Sequence, residues 1–209
     1  MKRRVGILIS GRGSNMAALL HAAAPVEIVL VLANRPDAGG LAIAAAAGVP
    51  TAVVDHRMFR GDRAAHEHAI AARLDAAGVE IVCLAGYMRL LTPFLVGRYA
   101  GRMLNIHPSL LPAFPGLDTH ARALAAGVKL HGCTVHLVTD GTDEGPILAQ
   151  AAVPVLPGDT EAALAARVLA QEHLIYPLAL HLFAAGRAGI APDSQAVFNN
   201  PLPLPPSVT

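Results

Sequence analysis

Val5-Gly6-Ile7-Leu8-Ile9-Ser10-Gly11-Arg12-Gly13-Ser14-Asn15 begins with an apolar run and ends in a glycine-rich turn. Residues 5–9 read as a strand and residues 14–23 as a helix capped by Ser14 or Asn15. The rhythm then repeats. Residues 28–33 are expected to form a second strand. Residues 41–47 follow as a helix that Gly48 ends and Pro50 keeps from resuming. Residues 51–54 give a third strand, residues 62–77 a long helix stopped by Gly78, and residues 81–84 a fourth strand. A uniformly apolar stretch such as 28–32 suits a sheet covered on both faces. This βαβα order predicts the α/β class: a doubly wound, mostly parallel twisted sheet with right-handed crossovers.

After residue 100 the pattern changes. Residues 103–107 read as a strand, and Pro108-Ser109-Leu110-Leu111-Pro112 forbids an immediate helix. Residues 132–138 and 147–153 are two strands joined by the polar loop 139–146, which predicts an antiparallel hairpin at one sheet edge in the C-terminal half. Residues 160–182 form a long amphipathic helix with Asp159 as its cap. No repeat or linker divides the chain. Residues 1–190 are therefore expected to form a single domain, and 191–209 a proline-rich, poorly ordered tail.

The 209 residues suit one compact domain. A net charge of +1 lacks the basic surplus of a protein held to nucleic acid by phosphate contacts. Hydrophobic residues at 54% and charged ones at 15% supply a core. No apolar run reaches the roughly 18 residues of a membrane span. The basic start Met1–Arg4 precedes too short an apolar stretch for a secretory leader. Cys83 and Cys133, each inside an apolar run, read as buried free thiols. A cytoplasmic location is expected, with no nucleic-acid or membrane partner. His66 and His68 are expected to face solvent, and His131 and His136 to be structural.

Three segments carry candidate chemistry. Glycines between a strand and a helix let the chain turn tightly and leave N–H groups that attract an anion. The dinucleotide pattern G-x-G-x-x-G fails at Met16. A phosphomonoester therefore fits better, although Arg35 could receive a 2′-phosphate and an ordinary βα turn is the plain alternative. Asn105 and His107 lie two apart on a strand and so share one sheet face, at a carboxyl end where ligands of open α/β sheets bind. An amide donor beside an imidazole suits a carbonyl oxygen gaining negative charge. The plain alternative is a half-buried histidine satisfied by the backbone. The loop 139–146 holds Asp140, Asp143 and Glu144. One carboxylate near His107 would hold it protonated, and the residues alone do not choose among the three. A solvated turn or a cation site competes with this, but no metal-ligand spacing recurs.

Ile9-Ser10-Gly11-x-Gly13-Ser14-Asn15, Leu84-Ala85-Gly86-Tyr87-Met88-Arg89, Leu104 to Pro112 and Gln171-Glu172-His173 occur in one order. Together they closely resemble the phosphoribosylglycinamide formyltransferases, folate-dependent transformylases of purine synthesis, from about Val5 to Gly186. The resemblance implies formyl transfer from 10-formyltetrahydrofolate, a co-substrate, to the amine of 5-phosphoribosylglycinamide, with no metal. It implies ribonucleotide binding by Gly11, Gly13, Ser14, Asn15 and Glu172. The folate falls to Arg63, Met88, Arg89, Leu90, Leu91 and Asn105, and catalysis to Asn105, His107 and Asp143. The match selects Asp143 over Asp140 because the family's aspartate lies two residues before Gly-Pro. The chain departs from the pattern at Glu144, where a small residue is usual, and at Leu169, where some members carry lysine. A monomer or homodimer is expected. The alternatives are a formyltetrahydrofolate deformylase, usually preceded by a regulatory domain, and a non-catalytic phosphate-ligand-binding module. A methionyl-tRNA formyltransferase would need a further RNA-binding region.

Overall fold

In the first strand, β1 (Arg3–Ile9), the side chains of Val5, Ile7 and Ile9 leave one face and Leu8 leaves the other, and all four are fully buried. Each such side chain contributes about 1.5–3 kcal/mol by leaving water. Covering both faces takes helices on both sides of the sheet. The computed structural model describes residues 2–22, 25–186 and the backbone of 197–198, and it shows that arrangement. β2 (Val26–Ala33), β3 (Thr51–Val53), β4 (Ile81–Leu84) and β5 (Met103–His107) join β1 in parallel. β6 (Leu130–Leu137) runs antiparallel to β5 and to β7 (Ile147–Pro154). With β8 (Val197–Phe198) beside β7, the strand order is 3-2-1-4-5-6-7-8.

Helices α1 (Ser14–Leu20), α2 (Gly40–Ala46), α5 (Thr119–Ala125) and α6 (Glu161–Ala184) pack on one face, burying Met16, Leu19, Ala44, Ala123 and Leu164. On the other face α3 (Arg63–Ala76) and α4 (Pro93–Arg98) bury Ile70, Leu74 and Leu95. The change of side falls between β1 and β4, the switch point at which such sheets bind ligands.

The C-terminal strands differ. Leu104, Ile106, Cys133, Val135 and Leu137 face the α6 side and are buried there. The alternate positions, Asn105, His107, Thr134, His136 and Gln150, are polar. They face away from α6, where loops 108–118 and 139–146 cover them. Thr134 Oγ1 donates to the Ser109 carbonyl at 2.7 Å and accepts from Leu111 N at 3.0 Å. Gln150 Nε2 donates to the Leu111 carbonyl at 2.8 Å. This polar row fixes the chain that leaves His107. From the other side the buried hydroxyl of Tyr176 on α6 lies 3.0 Å from the Leu84 carbonyl and 3.1 Å from that of Leu104. It caps the end of β4 and the neighbouring carbonyl of β5, where the pairing of the two strands stops.

Several expectations need correction. Neither Ser14 nor Asn15 caps α1; Gly13, left-handed at φ +78, precedes it without a side-chain cap. Thr160 caps α6 by accepting from Ala163 N, while Asp159 accepts from Leu156 N and pairs with Arg167. His66 is buried, with Nε2 2.8 Å from the Val54 carbonyl, and only His68 is exposed. The hairpin is not the sheet edge, because β8 (Val197–Phe198) pairs in parallel outside β7. The short helices α4 and α5 and a 3₁₀ turn at His56–Phe59 were not foreseen. Apart from β8, the expected tail 191–209 lies outside the described residues. Both cysteines are free and buried, and no helix among the described residues is long and apolar enough to cross a membrane.

Candidate active site

β1 and β4 both deliver glycine-containing turns to the switch point. A cavity there is lined by Ser10 to Asn15, Arg35, Ala85, Gly86 and Met88. Gly13 is required at its floor. A Cβ there would stand 2.7 Å from Cα of Gly40, and φ +78 is a conformation L side chains rarely adopt. The start of α2 therefore packs directly against the turn. Asn15 Nδ2 donates to Glu172 Oε2 at 2.6 Å, which ties the loop to α6. Burial pushes the Glu172 carboxyl above its ordinary value, against the effect of the Asn15 hydrogen bond.

A second cluster forms one strand away. Asn105 pairs in register with Leu84, whose following residues Ala85 and Gly86 wall the cavity. His107 Nδ1 lies 3.3 Å from Asp143 Oδ2, and its Nε2 lies 3.0 Å from the Phe114 carbonyl. Gly116 N donates to the same Asp143 oxygen at 2.9 Å. Asp143 itself is left-handed at φ +57, a conformation that aspartate tolerates better than most residues. Burial alone would push its carboxyl up. His136, the Gly116 N–H and His107 outweigh that and hold it below the ordinary carboxylate value. Both side chains are nearly closed off, 7% exposed for His107 and 13% for Asp143.

His136 belongs to this cluster, contrary to the structural role expected for it. Its Nε2 lies 3.2 Å from Asn105 Nδ2 and 3.6 Å from Asp143 Oδ1, and its Nδ1 faces the Leu137 carbonyl at 3.0 Å. Nε2 thus stands between the Asn105 amide and the Asp143 carboxylate and links the two. The signal lies in the strand register, which the two-residue spacing alone does not give. Thr134 and His136 repeat the two-residue interval of Asn105 and His107, and in the antiparallel register Asn105 opposes His136 and His107 opposes Thr134.

The remaining residues surround these clusters. Met88 and Leu90 are 70% and 67% exposed, so neither is core. Leu91 is half-buried against the α3/α4 side. Arg89 is half-buried as well, and Arg63 is exposed at the start of α3. Asp140 lies exposed in the loop. Glu144 folds back over Gly141, where its carboxylate fills the space a Cβ would take.

The family model described as formyl transferase matches residues 3–180. The chain is 46% identical over 185 residues to phosphoribosylglycinamide formyltransferase of Escherichia coli strain K12, covering 87% of each chain. It is 44% identical over 198 residues to the trifunctional purine biosynthetic protein adenosine-3 of Drosophila melanogaster, but spans only 15% of that protein's length. Among solved structures, phosphoribosylglycinamide formyltransferase from Brucella melitensis superposes with a TM-score of 0.84 at 61% identity, covering 89% of this chain and 97% of that one. A match over so much of the sequence, with the same fold, means that this chain belongs to the formyl transferase family.

Proposed function

We propose that the protein transfers the formyl group of 10-formyltetrahydrofolate to the amine of 5-phosphoribosylglycinamide, a step of purine biosynthesis, as a single domain over residues 1–190. The observation that carries this reading is the convergence of Asn105, His107 and Asp143 beside a glycine-walled cavity. The ribonucleotide phosphate lies on Gly11, Gly13, Ser14 and Asn15, with Glu172 behind them. The exposed side chains of Met88 and Leu90 offer an apolar bed for an aromatic pterin, flanked by Arg89 and Leu91, and Arg63 serves the outer part of the folate.

Holding amine and formyl carbon together supplies much of the acceleration. As the amine attacks, charge develops on the formyl oxygen, and Asn105 and His107 stabilise it. Asp143, held below the ordinary carboxylate value, is ionised at neutral pH and lies against His107 Nδ1, so it fixes the plane of the ring and puts a negative charge beside it. Both ring nitrogens face protein oxygens. The exchangeable one is the Phe114 carbonyl, which belongs to a loop rather than to a strand. Giving it up frees Nε2 for the substrate oxygen while the Nδ1 contact with Asp143 stays intact. The proton lost by the amine passes through His107 or a water to the folate nitrogen, whose bond to the formyl carbon breaks and leaves the formyl group on the amine. The buried thiols Cys83 and Cys133 fit a cytoplasmic protein. A monomer or homodimer acting on small molecules, without nucleic acid, membrane or metal, completes the reading.

A spectroscopic assay of formyl-folate consumption tests it. Consumption that requires phosphoribosylglycinamide is the expected result. Formate release without the ribonucleotide would make the protein a deformylase, and ribonucleotide binding without any turnover would make it a sensing module.

A further inference from the structure

The cavity at the switch point is walled by two segments far apart in sequence, Ser10 to Asn15 and the turn that ends at Met88. A single side chain joins them. Ser10 Oγ accepts from Met88 N at 2.9 Å, and Ser10 N donates to the Gly86 carbonyl at 3.1 Å. The turn of residues 86–88, with Gly86 at φ +71, thus hangs on Ser10 at both ends. The Ser10 residue is buried, yet it lines the cavity. A hydroxyl accepts through its lone pairs and donates through its hydrogen. Only the accepting side is used within the protein: among the described residues the Ser10 hydroxyl has no acceptor of its own.

The far end of the following segment is fixed differently. Thr92 N donates to Glu67 Oε1 at 2.7 Å, and the Thr92 hydroxyl donates to the other oxygen of that buried carboxylate. Residues 88–91 are therefore clamped by α3 at one end and by the glycine loop at the other.

We infer that Ser10 is a positioning residue that couples the two substrate sites: a ligand phosphate or sugar oxygen in the cavity accepts its hydroxyl hydrogen and so tightens its hold on Met88. A hydroxyl that donates becomes a stronger acceptor, because hydrogen bonds in a chain polarise one another. Filling the cavity then orders segment 88–91 for the second ligand. Linkage makes the effect reciprocal, so each ligand must strengthen the other by the same factor. The inference rests on the formyl-transfer reading, which places the ribonucleotide on the loop and the folate on Met88 to Leu91.

Calorimetry with a folate analogue lacking the formyl group, with and without saturating phosphoribosylglycinamide, tests this in the wild type, Ser10→Ala, Ser10→Cys and Glu67→Gln. In the wild type the ribonucleotide should tighten folate-analogue binding by about fivefold or more, the low end of ordinary coupling. Ser10→Ala should bind both ligands with the coupling gone. Ser10→Cys, isosteric but a weak donor and acceptor, should fall between. Glu67→Gln should weaken the folate analogue while keeping the coupling, because the Met88 end is untouched. Coupling unchanged in Ser10→Ala, or absent from a wild type that binds both ligands, would overturn the inference. A wild type that binds neither ligand would instead sink the formyl-transfer reading beneath it.

Discussion

The two halves of the sheet treat their faces differently. β1, β2 and β4 bury apolar side chains on both sides, with α1 and α2 over one face and α3 and α4 over the other. β5, β6 and β7 bury a mainly apolar face against α6 and carry the polar Asn105, His107, Thr134, His136 and Gln150 on the other, under loops rather than helices. The parallel half therefore has no side chains to spare for chemistry. It contributes ligand anchoring through the turns that follow β1 and β4, by backbone together with the Ser10 hydroxyl and the exposed Met88. Where helix cover stops, polar side chains can occupy a sheet face, and there the imidazole–carboxylate pair assembles. Anchoring and reaction are thus separated along the strand order.

The largest effect expected from this division lies in the side-chain half. Asp143→Asn keeps an acceptor for Gly116 N but removes the charge beside His107. Turnover should fall by about 10²–10⁴-fold, the range of a general acid–base group, while calorimetry finds ribonucleotide affinity unchanged. If instead affinity collapses and turnover at saturation holds, the two roles are not separated. Asn105→Ala should cost about 10²–10³-fold in kcat, as for a lost oxyanion donor, and rapid-quench kinetics should place the loss in the chemical step.

In the anchoring half, Gly13→Ala sets a methyl against Gly40 and forces a left-handed alanine. Unfolding in urea should show a loss of about 1–3 kcal/mol, the cost of such strain. The ribonucleotide KM should rise, with kcat at saturation much less affected. The reverse pattern would move the loop into the catalytic half. The smallest effect concerns His131, buried against Phe114 and beside His120, whose Nδ1 lies 3.2 Å from His131 Nε2. Burial, and then His120, pushes its pKa from 6.5 down to about 4. A base depressed in the fold stabilises it above pH 6.5, and that contribution drains away as pH falls toward 4. His131→Leu should therefore lose less Tm than the wild type across this window. Equal slopes would show that the ring is not held neutral by its surroundings.

These contrasts explain what the sequence made legible. The parallel half was readable almost element by element, because apolar runs broken by Gly48, Pro50 and Gly78 leave little choice of boundary. At the start of α1, Ser14 and Asn15 look like caps, whereas the turn uses the left-handed freedom of Gly13 and keeps Asn15 for Glu172. The Asn105 and His107 pair was visible from its two-residue spacing. His136 was not, since a histidine between Val135 and Leu137 reads as core until strand register sets it opposite Asn105. A register shift between Val135 and His136 further obscures the alternation. Physical reasoning alone could not select Asp143 from its loop. That selection depends on contacts with Gly116 and His107, far away in sequence, and only the family resemblance singled it out.

Tyr176 has a consequence for how the protein is made. Its hydroxyl satisfies the carbonyls of Leu84 and Leu104, at the mouth between β4 and β5. A nascent chain can pair the first five strands soon after they leave the ribosome. Until the final long helix emerges and docks, the peptide leading into Asn105 keeps its carbonyl bare, and the strand ends have nothing to hold their separation. Synthesis would thus deliver the scaffold first and a competent cleft only near its end.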